Sequence, residues 1–216
     1  MISLRWFGQA CFEIKNSATI VTDPHDGESV GLSPPDTKGE IVTISHQHFD
    51  HAGGRDLVSK EDTKIVETDG KQKVKGIKVE GIQSYHDKAQ GKERGENIIF
   101  VFEQDNFRIC HLGDLGHKLS SEKIERMGSV NILLIPVGGN YTINAQEAVE
   151  IIENLGPDIA IPMHYKLSDL EVDISSEGEF LRLAQKKGWK IEEKEKAENK
   201  SLPEKRKIIK LDCQSV

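Results

Sequence analysis

The chain has 216 residues, which is enough for one domain with a large core, and we expect a single domain over residues 1–216. Its formal net charge of −7 disfavours a nucleic-acid partner, because proteins that bind polyanions usually carry net positive charge or a basic stripe. The sequence shows no apolar run long enough to span a membrane, no export leader and no paired-cysteine spacing, so we expect no membrane association and a cytoplasmic location.

Short apolar stretches between turn residues predict β-strands in the first half of the chain. They lie at residues 4–7, 11–14, 19–21, 41–44, 64–67, 77–85, 98–103 and 107–112. Residues 104–106 have the composition of a short hairpin loop between the last two strands. The lysine-rich stretch 71–78 alternates with apolar residues and predicts a solvated strand or hairpin face rather than a binding patch.

Helices are predicted mainly in the second half. The first is predicted at residues 120–127 and begins with a capping serine. The second, at residues 144–155, has Asn144 as its cap and Glu147 in the third helical position. The third, at residues 177–187, ends before Gly188. Strands are predicted at 131–135 and 159–161, and at 190–196 and 205–211 on either side of a polar turn. The lysine-rich stretch 194–207 predicts a solvated strand or hairpin face, like that at 71–78. Many strands with helices outside them indicate a layered α/β architecture, with two packed sheets covered by helices.

The segment from His46 to His51 concentrates metal-binding side chains. His46, His48, Asp50 and His51 fall within six positions, directly after a predicted strand. In extended chain His46 and His48 point the same way and can share one cation. Asp50 and His51 lie in the turn beyond, aim from another direction and can begin a second site. A polar loop that only caps a helix is the alternative, but this spacing favours a two-metal centre.

Three further residues of the same chemical type each follow a predicted strand. These are His86, Asp114 and His164, the second of them within the sequence HLGDLGH at 111–117. Catalytic groups collect on loops at one edge of a rigid sheet, so these separate segments can meet the 46–51 loop. Taken singly, each has an ordinary alternative as a hydrogen-bonded core residue or a turn aspartate.

Together these motifs resemble the metallo-β-lactamase superfamily of metal-dependent hydrolases. The resemblance covers about residues 1–168 and points to the branch of ascorbate-6-phosphate lactonase-like proteins. It is carried by the 46–51 motif and by TDP at 22–24, SYHD at 84–87, HLGDLGH at 111–117, PVGGNYT at 136–142 and PMHY at 162–165. The resemblance implies an αββα four-layer sandwich of two mixed sheets flanked by helices.

Carried over residue by residue, the resemblance also implies two ligand sets. His46, His48 and His86 would hold one divalent ion, Asp50, His51 and His164 would hold the second, and Asp114 would bridge them. Imidazole and carboxylate donors favour Zn²⁺, and Mn²⁺ or Fe²⁺ are also compatible. One departure is Gln9, because many relatives carry histidine at that position, which leaves its role open.

The chemistry that follows is hydrolysis. Two ions about 3.5–4 Å apart can lower the pKa of a shared water to about 7, supply hydroxide, and polarise the oxygen under attack. We assign catalytic roles to Asp50, which could orient the nucleophile or move a proton to the leaving group, and to Asp114.

Five more residues are candidates for supporting the ligands or contacting substrate. The resemblance suggests that Asp23 orients a ligand histidine; the alternative is an ordinary turn residue. His111 and His117 would either line the cleft or hydrogen-bond within their loop. Arg94 presents a fork suited to phosphate or carboxylate, with simple exposure as its alternative. Tyr141 would shape a loop or touch substrate.

We therefore expect a two-metal hydrolase of a small-molecule ester, with an anionic lactone or phosphorylated metabolite favoured. A phosphodiesterase or nuclease of the same fold is one alternative, although the chain shows no added basic domain. A non-enzymatic metal-binding protein is another, but closed structural sites use four ligands per ion, whereas seven ligands over two ions leave room for solvent. Self-association stays open.

Overall fold

The computed structural model describes residues 2–199 and 205–215. Within these ranges two mixed β-sheets share one apolar core and are flanked by helices, which confirms the predicted αββα arrangement. No helix in the same ranges is both long and apolar enough to cross a bilayer.

The first sheet has six strands among the described residues, in the order β13-β1-β2-β3-β4-β5. They are β1 (Ile2–Trp6), β2 (Phe12–Lys15), β3 (Thr19–Thr22), β4 (Gly39–Thr43), β5 (Ser59–Val66) and β13 (Ala197–Asn199). Strands β1 to β3 pair antiparallel, whereas β3, β4 and β5 are parallel. The loops after β3 and β4 therefore leave from the same edge of the sheet.

The second sheet has eight strands among the described residues, in the order β12-β14-β11-β10-β9-β8-β7-β6. They are β6 (Gly70–Val74), β7 (Ile77–Tyr85), β8 (Glu96–Gln104), β9 (Phe107–His111), β10 (Ile132–Pro136), β11 (Ile159–Met163), β12 (Lys190–Lys194) and β14 (Lys207–Leu211). Because β8 is antiparallel to both neighbours and β9, β10 and β11 are parallel, strands β7, β9, β10 and β11 all end at one edge.

The helices are α1 (Phe49–Ala52), α2 (Arg55–Val58), α3 (Ser121–Met127), α4 (Ala145–Leu155) and α5 (Gly178–Lys186), with a 3₁₀ turn at Glu28–Val30. Helix α4 begins with the predicted cap. Asn144 accepts a hydrogen bond from the Glu147 backbone N–H, and the Glu147 carboxylate accepts one from the Asn144 backbone N–H. This reciprocal capping box satisfies two donors that the first helical turn leaves unpaired.

The core lies between the two sheets. Trp6 and Phe12 of the first sheet are fully buried and belong to the same apolar cluster as Phe100 and Phe102 of the second. The Trp6 ring lies 4.8 Å from that of Tyr165, which follows β11. Each large side chain buried in this way contributes about 1.5–3 kcal/mol, so the core holds the sheets together.

Most predicted elements are confirmed, with boundaries shifted by a few residues. The lysine-rich stretch at 71–78 is the β6–β7 hairpin, as predicted. The two predicted C-terminal strands, β12 and β14, do not form a hairpin. They pair in parallel, and β13 between them joins the other sheet. The turn predicted between residues 196 and 205 lies partly outside the described residues. The short helices α1 and α2 were not predicted.

Candidate metal centre

The 46–51 loop leaves the first sheet where β4 ends at Thr43. His46 and His48 follow in irregular chain, and the Nε2 atom of His46 lies 3.0 Å from Nδ1 of His48. The short helix α1 then carries Asp50 and His51, which are both buried. The structure therefore brings the two histidines of the extended segment together, and it places the other pair on a helical turn.

The loops of the second sheet bring the remaining candidates to the same place. His86 follows β7, Asp114 follows β9 and His164 follows β11. Three sets of ligand-type atoms lie within 4.8 Å of one another: His46, His48 and His86; His46, His51 and Asp114; and Asp50, His51 and His164. The first and third sets have the composition of the two expected ion sites, and the second set connects them.

Asp114 lies between the two sites. Its Oδ2 atom is 3.1 Å from Nε2 of His86 and 3.9 Å from Nε2 of His46, which belong to the first set. The same oxygen is 3.2 Å from Nε2 of His51 and 3.2 Å from Nε2 of His164, which belong to the third. One carboxylate oxygen therefore faces four imidazole nitrogens, two from each set.

Asp23 and Ser45 fix the proton positions on two histidines. The Ser45 hydroxyl donates its one proton to Asp23 Oδ2 at 2.6 Å, so it accepts from Nδ1–H of His46 at 2.9 Å. His51 Nδ1–H donates to the same Asp23 oxygen at 3.1 Å. Both rings consequently turn Nε2 toward Asp114. Orientation of ligand imidazoles by such outer partners is typical of metal sites. The role suggested for Asp23 stays a prediction.

The charges of the pocket favour a cation. Burial lowers the pKa of His51, but the carboxylates of Asp114 and Asp50 outweigh burial and raise it well above its usual value. Burial raises the pKa of Asp114, yet His164 and His51 lower it well below its usual range. Burial, together with the positive charge of His51, lowers the pKa of His46. The pocket thus holds ionised carboxylates whose negative field attracts positive charge.

The donor set fits divalent ions. Three imidazoles on one side and a mixed imidazole–carboxylate set on the other suit Zn²⁺, and Mn²⁺ or Fe²⁺ where oxygen donors complete the shell. His51 Nε2 and Asp114 Oδ1 are buried and make no hydrogen bond within the described part of the chain. Buried polar atoms normally have a partner, and an ion between these groups would provide one.

Comparison with known proteins identifies the family. Residues 3–164 match the family model described as the beta-lactamase superfamily domain. The crystal structure of a metallo-β-lactamase superfamily protein from Thermotoga maritima is 35% identical, covers 98% of both chains and has a TM-score of 0.81. This chain belongs to the metallo-β-lactamase superfamily. The resemblance seen in the sequence is confirmed at that level, and the lactonase-like branch stays a prediction.

Further proteins are similar to this chain. A UPF0173 metal-dependent hydrolase from Methanoculleus marisnigri is 30% identical over 75% of this chain and 80% of its own length. A second, from Thermoplasma acidophilum, is 28% identical over 78% of this chain and 85% of its own. The structure of a metallo hydrolase from Ignicoccus hospitalis has a TM-score of 0.64 at 21% identity and shows the shared fold alone.

In this superfamily member a cleft of about 810 Å³ opens beside the candidate ligands. Among its lining residues are Asp50, Asp114 and two further residues singled out in the sequence, Arg94 and Tyr141. The Arg94 guanidinium lies 5.3 Å from the centre of the Tyr141 ring. Two loops, one after β7 and one after β10, therefore meet at the cleft through this cation–π pair.

The two remaining histidines of the 111–117 loop lie outside the cleft lining. His111 is fully buried. Its Nδ1 atom accepts a hydrogen bond from the Gly113 N–H, so its Nε2 carries the proton and donates to the Ala10 carbonyl at 2.9 Å. His117 accepts from the Tyr85 N–H, and its Nδ1 lies 2.8 Å from the Lys118 carbonyl. Each side chain therefore has one hydrogen-bond partner close in sequence, Gly113 or Lys118, and one outside the loop, Ala10 or Tyr85.

Three supporting residues were not singled out from the sequence. Asn97 accepts the Asp114 backbone N–H at 2.9 Å, and Ser45 orients His46 as described. Asp87 accepts four backbone N–H bonds, from residues 89, 91, 93 and 94, at 2.7–3.0 Å, and so fixes the loop that carries Arg94. Ser45 and Asp87 adjoin ligands in sequence, which is a usable signal, whereas Asn97 has none.

Proposed function

We propose that this chain is a hydrolase that binds two divalent ions and cleaves an ester-type bond in a small molecule. The observation that carries the proposal is the position of Asp114, whose Oδ2 atom lies within 4.0 Å of imidazole nitrogens from both candidate sites. Support comes from the relatives described above, which are named as metal-dependent hydrolases.

The ions would be held by the two sets found in the structure. His46, His48 and His86 would bind one, and Asp50, His51 and His164 the other, with Asp114 shared. Zn²⁺ suits these donors best, and Mn²⁺ or Fe²⁺ also fit. Bound there, the ions would acidify water and polarise the carbonyl or phosphoryl oxygen of the substrate.

Asp50 is the residue best placed to handle protons. It lines the cleft, and its side chain is 12% exposed, so substrate and water can reach it. Burial raises the pKa of Asp50, but the positive charge of His51 outweighs burial and lowers it. The carboxylate is therefore ionised at neutral pH. It can accept a hydrogen bond from the attacking water and pass the proton to the leaving group.

Arg94 would select an anionic group on the substrate. It is the one lysine or arginine among the described residues that line the cleft, and within the described chain its guanidinium contacts the Tyr141 ring but no carboxylate. A guanidinium with free N–H donors matches phosphate or carboxylate. We therefore favour a lactone or phosphorylated metabolite that carries such a group away from the bond that breaks.

The test combines metal analysis with a substrate panel. Purified protein is analysed for Zn, Mn and Fe, and is assayed with lactones, phosphodiesters and amides in matched anionic and neutral forms. We expect about two ions per chain and hydrolysis of at least one ester class, which Asp114→Ala abolishes. Arg94→Ala should raise KM for the anionic substrate selectively, while Lys92→Ala, an exposed cation of the same loop, should not.

Other outcomes would refute parts of the proposal. Stoichiometric metal without turnover of any substrate would favour the binding-protein alternative, and turnover confined to nucleic-acid phosphodiesters would favour a nuclease. Equal KM values for Arg94→Ala and the unaltered chain would remove the anion-binding role. The cytoplasmic location and self-association stay predictions.

A further inference from the structure

Gln9 is a buried polar residue in the tight turn between β1 and β2. Its side chain is fully buried, and its backbone adopts a left-handed conformation with φ of 45°. The preceding Gly8 has φ of 93°, so the turn uses two successive residues with positive φ. Left-handed backbone is unfavourable for a residue other than glycine, and such conformations persist where surrounding contacts enforce them.

The contacts of Gln9 connect it to two candidate ligands. Its carbonyl oxygen accepts the backbone N–H of His164 at 3.0 Å and the indole N–H of Trp6 at 3.0 Å. Its side-chain Nε2 donates to Asp50 Oδ2 at 2.9 Å and lies 3.4 Å from His164 Nε2. Asp50 follows the first sheet and His164 the second, so this one residue contacts a ligand from each.

The orientation of the Gln9 amide follows from the negative charge of Asp50. An ionised carboxylate has no proton to donate, so the atom facing Asp50 must be the NH₂ group. The opposite atom, Oε1, is buried and has no hydrogen-bond partner within residues 2–199 and 205–215. Within these residues the polar contacts of the Gln9 side chain are therefore those of its Nε2 atom, with Asp50 and His164.

Three of the candidate ligands contact different supporting side chains. His46 is oriented by Ser45, and His51 by Asp23. Apart from the histidines of the site, Gln9 is the one side chain in the described ranges that contacts the Asp50 carboxylate with a polar atom. No contact joins Gln9 to His46, His48 or His86 within the described chain, so its influence falls on the second candidate ion site alone.

We propose that Gln9 is a positioning residue for the second ion site, formed by Asp50, His51 and His164. Its amide holds the Asp50 carboxylate beside the two imidazoles, and because an amide does not titrate, it does so without adding charge. This inference rests on the two-ion centre proposed above. Partners that orient ligands typically change metal affinity by about 10–100-fold when removed.

The experiment measures the two binding steps separately. Protein stripped with a chelator is titrated with Zn²⁺ against a competing chromogenic chelator, which gives an affinity for each equivalent. In Gln9→Met, which has similar length but no donor, we expect one affinity to fall about 10–100-fold and the other to stay unchanged. Gln9→His retains an N–H donor and should recover most of the lost affinity.

Gln104 provides a matched control. It is a buried glutamine far along the chain, its Nε2 donates to the Ala18 carbonyl at 2.8 Å, and its Oε1 is likewise unpaired within the described residues. Gln104→Met should therefore perturb the core to a similar degree and leave both affinities as they are. Thermal unfolding of the metal-free proteins shows whether the two variants are comparably folded.

The possible results separate this inference from the proposed function. Two unchanged affinities in Gln9→Met, or two that fall equally, would overturn the positioning role while leaving the two-ion centre intact. Fewer than two ions on the unaltered protein would overturn both. If Gln9→Met does not fold, Gln9→Asn replaces it: asparagine tolerates left-handed backbone, but its amide is one methylene too short to reach Asp50, and the same selective loss is expected.

Discussion

Replacing Asp23 with asparagine tests whether the Asp23 carboxylate orients His51 for ion binding. Asp23 accepts three hydrogen bonds: Ser45 N–H at 2.7 Å on Oδ1, and Ser45 Oγ–H at 2.6 Å and His51 Nδ1–H at 3.1 Å on Oδ2. Asparagine has one acceptor oxygen. Its best orientation places that oxygen at the Oδ2 position, and the NH₂ group then faces the Ser45 N–H.

The expected loss of stability follows from these three bonds. A buried N–H left without a partner costs about 1–3 kcal/mol, and each remaining bond loses about 1 kcal/mol when its acceptor becomes neutral. Removing a fully buried charge relieves part of its desolvation cost, so we expect about 2–4 kcal/mol in the free energy of unfolding. Looser orientation of His51 should weaken ion binding about 10–100-fold.

The assay pairs chemical denaturation with chelator competition, and Glu13 supplies the control. Glu13 is a buried carboxylate on β2, and it too accepts three bonds, two from Arg5 at 2.8–2.9 Å and one from Thr37 at 2.5 Å. Glu13→Gln should lose stability but keep its affinity for ions. Unchanged ion affinity in Asp23→Asn, or an equal fall in both variants, would show that Asp23 does not orient His51.

Three further changes have distinct expected outcomes. Gly138→Ala places a Cβ 2.2 Å from the His164 carbonyl oxygen, so the backbone must move, and metal analysis should show weakened binding of one ion. Burial raises the pKa of Asp87, but its four backbone donors outweigh burial and lower the pKa to about 2. These bonds therefore stabilise the fold fully above about pH 4, the pKa of an unfolded aspartate, and the stabilisation is lost as the pH falls toward 2. The stability difference between the unaltered chain and Asp87→Asn should shrink over that range in acid denaturation. Asn144→Ala should cost about 1 kcal/mol in thermal unfolding and leave ion binding unchanged.

For each of these three predictions, one result would contradict the reasoning. Gly178→Ala is the control for the first change, because its Cβ would meet no atom closer than 3.6 Å, and equal ion binding in both glycine variants would contradict the steric argument. A stability difference for Asp87→Asn that is constant from pH 5 to pH 2 would show that the carboxylate bonds do not titrate. A fall in ion affinity in Asn144→Ala would mean that α4 influences the centre.

The parts of the fold visible in the sequence are those with local causes. Apolar runs between turn residues located the strands, because burial on one or both faces selects such runs whatever their partners. The capping box of α4 was visible because Asn144 and Glu147 lie three residues apart. The four-residue helices α1 and α2 are too short to show a 3.6-residue period, so no sequence signal existed for them.

Long-range features were less accessible. The parallel pairing of β12 with β14 depends on β13 joining the opposite sheet, which no local pattern reveals. The ligand-type residues were recognisable because few sequences place three imidazoles and a carboxylate within six positions. The sequence marked Gln9 only as a departure from the family pattern, and it gave no signal at Asn97. Their contacts with Asp50 and Asp114 are visible only in the folded chain.

The ligand-type residues come from loops of both sheets, and this links ion occupancy to the folding equilibrium. Four of them follow β4 in the first sheet, and three follow β7, β9 and β11 in the second. An unfolded or half-assembled chain cannot present all seven together, so ions held by these residues would bind the folded chain, with both sheets packed together, far better than any other state. At free ion one hundred times the dissociation constant, each site would add about 2.7 kcal/mol to the unfolding free energy. The melting temperature of this protein should therefore report ion availability.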